Sequence, residues 1–202
     1  MERRLRAAFE NVDLRVLAGI LSGGGIIAIP TDTIYGLHCI FSNESTLRKL
    51  IGLKGRDRNK GLILLASNVN MVDGLVSFWP GDSRVGLSSI WPAPLTAILP
   101  ASENLNPFVA PGGRVAVRVP SFKRLVELID MLGEPIVSTS ANKSGAPPTT
   151  SMREVEEQFP DLDAYLSRRG RHAKSVSTIV DFTNGEGRVV REGAYDYYNS
   201  PK

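Results

Sequence analysis

Five segments of this chain concentrate side chains that can hold or polarise a ligand. Residues 138–144 pack five small hydroxyl or amide groups (Ser138, Thr139, Ser140, Asn142 and Ser144) directly after the apolar pair Ile136 and Val137. Short stems carrying donors and acceptors suit a ligand-binding turn, Gly145 frees the backbone, and Pro147 and Pro148 stiffen the exit. Pro30-Thr31-Asp32-Thr33-Ile34-Tyr35-Gly36-Leu37 is a second polar segment, in which two hydroxyls and a carboxylate could orient a small ligand beside Tyr35. Residues 54–61 hold four cations (Lys54, Arg56, Arg58 and Lys60) and the single carboxylate Asp57, the strongest concentration of positive charge in the chain. Arginine forks onto phosphate oxygens and lysine acts as a point charge, so a phosphate-rich ligand is the natural counterpart. Arg118 lies among the apolar residues 115–119 and needs an anionic partner if buried, either a structural or a ligand carboxylate. Ser177, Thr178 and Arg191 sit at strand ends, where they could reach a shared groove. Each segment has a plainer reading: an ordinary Ser/Asn turn, a helix cap at Asp32 or Thr33, a solvated basic turn.

The elements that must position these groups alternate between strands and helices. Apolar periodicity predicts helices over residues 11–21, 42–53, 68–76, 83–91 and 121–132, with glycine stops after the first and last at Gly23 and Gly133. Ser121 reads as the cap of the last of these, and Ser151-Met-Arg-Glu154 is a capping box for a helix to Gln158. Strands are expected over residues 26–29, 62–65, 95–99, 114–119, 136–137, 179–182 and 188–191, with a turn at Asn184-Gly185. Arg118 then faces away from Val117 and Val119. Ligands of open α/β sheets bind beyond the carboxyl ends of strands, where the polar segments fall. Trp91 reads as core packing. The glycines at 23 and 25 precede a strand where a dinucleotide fingerprint would follow one, and no P-loop pattern occurs.

Composition narrows the classes. The 202 residues suffice for one core, and 42% hydrophobic with 22% charged residues describe a soluble globular chain. A net charge of +3 and a pI near 9.1 favour anionic partners only mildly. One cysteine, Cys39, and two histidines, His38 and His172, leave neither a disulfide nor a zinc cage, so a reducing cytoplasm fits. No signal h-region and no long apolar run is present, which predicts no export and no membrane span.

Taken together, Pro30-Thr-Asp-Thr-Ile-Tyr-Gly-Leu37, Lys54-Gly-Arg56, Lys60-Gly-Leu62, Trp91-Pro-Ala-Pro-Leu-Thr96, Val115-Ala-Val-Arg118-Val-Pro120, Ser138-Thr-Ser-Ala-Asn142 with Ser144-Gly145, Ser177-Thr-Ile-Val-Asp181 and Arg191-Glu-Gly193 resemble the YrdC/TsaC family of threonylcarbamoyl-AMP synthases. The blocks stand in family order over roughly residues 14–193. The resemblance implies a single-domain α/β fold, a twisted, mostly open mixed sheet flanked by helices with a basic concave groove, of the short bacterial form. It implies condensation of L-threonine, bicarbonate or carbon dioxide, and ATP to threonylcarbamoyl-AMP and pyrophosphate. That is the first step toward N6-threonylcarbamoyladenosine at position 37 of tRNA, and the product passes to a separate transfer complex. By position, the resemblance assigns Thr33, Arg118, Ser138 and Ser177 to threonine, with Arg118 on its carboxylate. Arg56, Lys60, Ser140, Asn142 and Arg191 fall to ATP, and Lys54, Arg56 and Lys60 to catalysis. Asp57 and Ala93 stand where the family usually has proline and glycine, and Gly61 stands where the long forms commonly have proline.

The residues suit that chemistry. A carbamate anion must meet the α-phosphorus of a polyanion in line, so charge screening is the central need. Lys54, Arg56, Lys60 and Arg191 supply it with a magnesium ion carried on the triphosphate; no protein metal site and no protein nucleophile is required. His38 and Cys39 are neighbours on a strand and face opposite ways, which makes them structural. The competing reading is a non-catalytic module whose basic groove holds RNA, and any RNA contact would be electrostatic.

Overall fold

Four of the described α-helices open on a short polar residue whose side chain caps them, and two do not. Asp13 opens α1 (Leu14–Ser22) by accepting from the Arg15 amide, and Asn43 opens α2 (Glu44–Lys54) by accepting from the Thr46 amide. Asn68 does the same for α3 (Val69–Asp73), and Ser151 for α6 (Met152–Gln158). The helix α4 spans Ser83–Ile90, and Asp82 at its N-cap makes no side-chain cap bond. In α5 (Lys123–Leu132) the N-cap is Phe122, which makes none either. Ser121 is instead drawn away, donating its amide and hydroxyl to Asp32 Oδ2 at 3.1 and 3.3 Å. Gly55 and Gly133 end α2 and α5 in the left-handed conformation that glycine alone adopts cheaply.

This is a computed structural model, and it describes residues 4–55, 62–149, 151–168 and 175–200. Ten strands among them form one mixed sheet: β1 (Leu5–Ala8), β2 (Ile27–Pro30), β3 (Tyr35–Ile40), β4 (Ile63–Leu65), β5 (Leu95–Pro100), β6 (Arg114–Arg118), β7 (Ile136–Ser140), β8 (Ala164–Ser167), β9 (Thr178–Asp181) and β10 (Arg188–Arg191). The order across the sheet is β1-β8-β2-β3-β7-β4-β6-β5-β9-β10. Four strands correct the sequence reading. β1 and β8, which pair in parallel at one edge, were not anticipated, because Leu5-Arg6-Ala7-Ala8 lacks alternation and β-branched residues. β3 begins at Tyr35, inside the segment taken for a loop, and forms a tight hairpin with β2. β7 runs on to Ser140, so Ser138 and Thr139 are strand residues paired with His38 and Leu37.

The two faces of the sheet bury separate cores. On one, Ala28, Leu37, Cys39, Leu64, Val117, Val137 and Val180 pack with Leu47 and Leu50 of α2, Val72 of α3, Leu87 of α4 and Val155 of α6. Trp91 joins this core, its indole donating to Leu95 O. On the other, Ile27, Ile29, Leu65, Ile136, Ala164 and Leu166 meet Leu14, Leu17 and Leu21 of α1 and Leu125, Leu128 and Ile129 of α5. The second cover stops short. The register partners Ser138, Ile63, Ala116, Ile98, Asp181 and Arg188 cross β7, β4, β6, β5, β9 and β10 on this face, and all of them line an open cleft. Five strand spacings make the cleft floor roughly 24 Å long. The molecule is thus a single α/β domain whose site is the half of one sheet face that no described helix covers.

Candidate active site

The cleft encloses about 580 Å3. Among the described residues its charged walls are Arg114, Arg118, Arg188 and Arg191 against the one carboxylate Asp181. That carboxylate is engaged already, accepting from the Thr183 amide and hydroxyl, and its pKa is held below the usual range despite burial.

Arg118 ends β6 on the cleft side, opposite in facing to Val117 and Val119, as alternation requires. Only 3% exposed, its guanidinium donates to Thr33 Oγ1 at 3.1 Å and stands 3.5 Å from Asp32 Oδ1. Burial pulls its pKa down while Asp32 pushes it up. Its Nε finds no hydrogen-bond partner among the described residues, a costly omission for a buried cation unless a ligand supplies an acceptor. The neighbouring hydroxyls have fixed directions. Thr31 Oγ1 donates to Ile34 O and accepts from the Thr33 amide, so in the 2.9 Å contact between the two threonine hydroxyls Thr33 is the donor. Thr33 Oγ1, giving its proton to Thr31 and accepting from Arg118, can offer a ligand only a lone pair.

The end of β7 is braced from below. Lys54, the last residue of α2, is 3% exposed and does not line the cleft. Its ammonium donates to Ser140 O, to Asn142 O at 2.6 Å and to Ser140 Oγ at 3.2 Å. The structure therefore places Lys54 under the loop as its tie. Because Ser140 Oγ accepts from Lys54, its own proton stays available to a ligand. Asn142 uses its amide nitrogen on Lys143 O and Ala146 O, while Oδ1 is buried with no partner among the described residues. Two carbonyl partners fix the amide orientation, so Asn142 presents an acceptor and would take a ligand donor.

Across the cleft, Arg191 at the end of β10 clamps the start of β9. Its Nε and Nη2 donate to Ser177 O at 3.1 and 2.7 Å, and Nη2 also reaches Ser177 Oγ at 3.1 Å. Thr96 of β5, fully buried, shares a 2.8 Å hydroxyl contact with Ser177. The clamp depends on Gly193, where a Cβ would lie 2.4–2.5 Å from the backbone of Val176, Ser177 and Thr178.

His38 lies just beneath the cleft wall, fully buried; a Cβ on the cleft-lining Gly36 would come 2.5 Å from its Nε2. Burial and then the Arg118 charge hold its pKa at about 3, so the ring is neutral. Cys39 faces the opposite core, its thiol pushed up to about 12 by burial. Neither is placed as a catalytic pair.

Thr33, Arg118, Ser138, Ser140, Asn142, Ser177 and Arg191, expected at the site, all line this one cleft. Arg56 and Lys60 lie outside the described residues, as do Asp57, Gly61 and most of the basic segment 168–174. Three contributors escaped the sequence reading. Thr96 carried no signal beyond alternation, and Arg114 and Arg188 looked like ordinary strand charges. The family profile for Sua5, YciO and YrdC proteins, described as "Telomere recombination", matches residues 19–193. The chain belongs to the Sua5/YciO/YrdC family. A threonylcarbamoyl-AMP synthase of Thiobacillus denitrificans is 37% identical over 172 residues, 84% of this chain and 91% of that protein. One from Pseudomonas aeruginosa is 36% identical over 176 residues, 86% of this chain and 94% of its own length. The solved structure of Pyrococcus abyssi Sua5 complexed with L-threonine superposes with a TM-score of 0.82 at 29% identity, covering 95% of this chain; the chain spans only 58% of that protein. Escherichia coli YciO shares the fold, with a TM-score of 0.85 at 21% identity and 98% of each chain covered.

Proposed function

We infer that this member of the family is a threonylcarbamoyl-AMP synthase and that the whole chain acts as one catalytic domain. The observation that carries the reading is the buried Arg118 with its unfilled Nε, joined to an acceptor-only Thr33, in the same cleft as Ser140, Asn142 and the Arg191–Ser177 clamp. Arg118 takes the threonine carboxylate as a charged, directional pair, and Thr33 accepts from the amino acid's side-chain hydroxyl. Ser138 and Ser177 line the same end. The threonine amine and bicarbonate lose water to form a carbamate. A carbamate oxygen then attacks the α-phosphorus of ATP, and the bond from that phosphorus to the α–β bridging oxygen breaks, releasing pyrophosphate.

Screening two anions against each other is the work of the cleft. Arg191, Arg56 and Lys60 are assigned to the triphosphate, with the available Ser140 proton. Asn142, able only to accept, is assigned to a donor on the nucleoside. Lys54 contributes to catalysis by holding Ser140 and Asn142. Magnesium is assigned as a passenger on the triphosphate, adding positive charge beside the arginines. Bicarbonate, transfer of the product to a tRNA-modifying complex and a cytoplasmic site of action belong to the same reading. No described helix is long and apolar enough to cross a membrane. Any contact with RNA is weak and electrostatic; a module that only binds RNA is not favoured, since the relatives are named as synthases. The test is pyrophosphate release by the purified chain given ATP, L-threonine and bicarbonate. Release that needs all three supports the reading, and release indifferent to threonine or bicarbonate refutes it.

A further inference from the structure

The arrangement behind Arg118 is unusual for an anion site. Asp32 and Arg118 form an ion pair whose side chains are 5% and 4% exposed, yet the pair is held at 3.5 Å and is not a fork. The reason is visible on the far side of Asp32. Its Oδ2 accepts both the amide and the hydroxyl of Ser121, and its Oδ1 makes no hydrogen bond among the described residues. Anchored in this way, the carboxylate offsets the arginine's charge without consuming its donors. The guanidinium keeps its orientation through Thr33, and its Nε stays unfilled.

We propose that Asp32 is a positioning residue that neutralises Arg118 while leaving its donor fork open, so that the amino-acid end of the cleft selects a zwitterion over plain anions. The inference rests on the assignment of Arg118 to the threonine carboxylate. A lone buried arginine beside a triphosphate would attract phosphate or pyrophosphate as readily as an amino acid. A net-neutral pair gives a plain anion little long-range attraction to set against its lost hydration. An amino acid carries its own compensating ammonium and loses nothing by the neutrality. It gains from the planar, pre-aligned donors, which a carboxylate matches in shape. Ser121 is part of the device, since its two donors keep Asp32 from closing on Arg118.

The experiment measures, on the full chain at saturating ATP, the KM for L-threonine and the competitive inhibition constant of inorganic phosphate against threonine. The variants are Asp32→Asn and Ser121→Ala. Asparagine keeps an acceptor for Ser121 but removes the charge. The ratio of phosphate inhibition constant to threonine KM should fall by about tenfold or more in Asp32→Asn, with kcat and the ATP KM changed far less. Ser121→Ala, which keeps the amide contact and so the fold, should lower the ratio by a smaller factor, about two- to fivefold. A ratio unchanged in Ser121→Ala, or in a folded Asp32→Asn, overturns the proposal, as does a lower melting temperature with the ratio intact. Wild-type protein that binds no threonine would sink the functional reading itself, and the inference with it. Wild type that turns over threonine while both variants keep its ratio sinks only the inference.

Discussion

Lys54 separates a charge that acts on the phosphates from one that builds the loop beside them. Replacing it with methionine keeps the stem that packs at the end of α2 and deletes the ammonium. Two carbonyls, Ser140 O and Asn142 O, then lose a charged donor, and Ser140 Oγ loses one as well. Hydrogen bonds to charged groups are worth about 1.5–3 kcal/mol each. Water entering the opened loop recovers part of this, so a net loss of about 2–4 kcal/mol is expected. For a domain of this size that lowers the melting temperature by roughly 5–15 °C. The kinetic consequence follows from Ser140 and Asn142 losing their fixed places: the KM for ATP should rise by about tenfold, with a smaller effect on kcat at saturating ATP. Thermal unfolding and pyrophosphate release on the same preparation give both numbers. A variant that melts within about 1 °C of wild type but loses about 10²-fold in kcat would behave like a deleted transition-state donor. It would show that the ammonium works on the triphosphate directly, and the placement under the loop would be wrong.

Arg118→Lys cannot reproduce the guanidinium fork, so it should raise the threonine KM by about 10- to 150-fold, equivalent to 1.5–3 kcal/mol, and the ATP KM far less; equal defects would misplace the amino-acid end. In wild type, valine should be a much poorer substrate than threonine, because it leaves the Thr33 lone pair without a donor; equal use of the two in pyrophosphate release would refute that orientation. Gly193→Ala forces the tail away from Ser177 and should weaken both substrates together through the Arg191 clamp, seen as parallel rises in the two KM values. His38, held near pKa 3 when folded against about 6.5 unfolded, costs stability as pH falls through 6.5 toward 3 because the unfolded chain binds the proton. Between pH 7.5 and 5, denaturant unfolding of His38→Gln should lose about 2 kcal/mol less than wild type, and an equal loss would mean the ring is protonated in the fold.

The sequence carried most of the helices, because caps and glycine stops act locally: Asn43, Asn68, Ser151 and Gly133 do in the structure what their types imply. It carried the central strands for the same reason, since β-branched runs such as Ile136-Val137 commit to a sheet without help. What it missed depends on partners distant in the chain. β1 is a strand only because β8 lies beside it, and Ser121 sits away from the helix start because its amide and hydroxyl are held by Asp32, 89 positions earlier. The site divides along the same line. Residue types and order named the cleft-lining groups, but nothing in a sequence says that Lys54 turns inward or that Asp32 turns toward Arg118.

Hydrogen-bond direction adds a constraint that side-chain type alone does not impose. Thr33, Ser140 and Asn142 all have both donor and acceptor capacity in principle, and in the folded chain Thr33 and Asn142 have spent their donors. Thr33 has given its proton to Thr31 and Asn142 both of its N–H groups to carbonyls, while Ser140, accepting one bond from Lys54, keeps its proton. The cleft therefore offers an acceptor at the Arg118 end, a donor at Ser140 and an acceptor at Asn142. A carboxylate next to a donor-bearing group, followed by a phosphate and then a nucleoside with a donor, satisfies that sequence of partners. An inverted arrangement, with phosphate at Thr33 or Asn142, would set lone pair against lone pair in a buried site, at a cost of order 1–3 kcal/mol per contact. The polarity of the fold's internal hydrogen bonds, more than the count of its arginines, is what gives the cleft a direction.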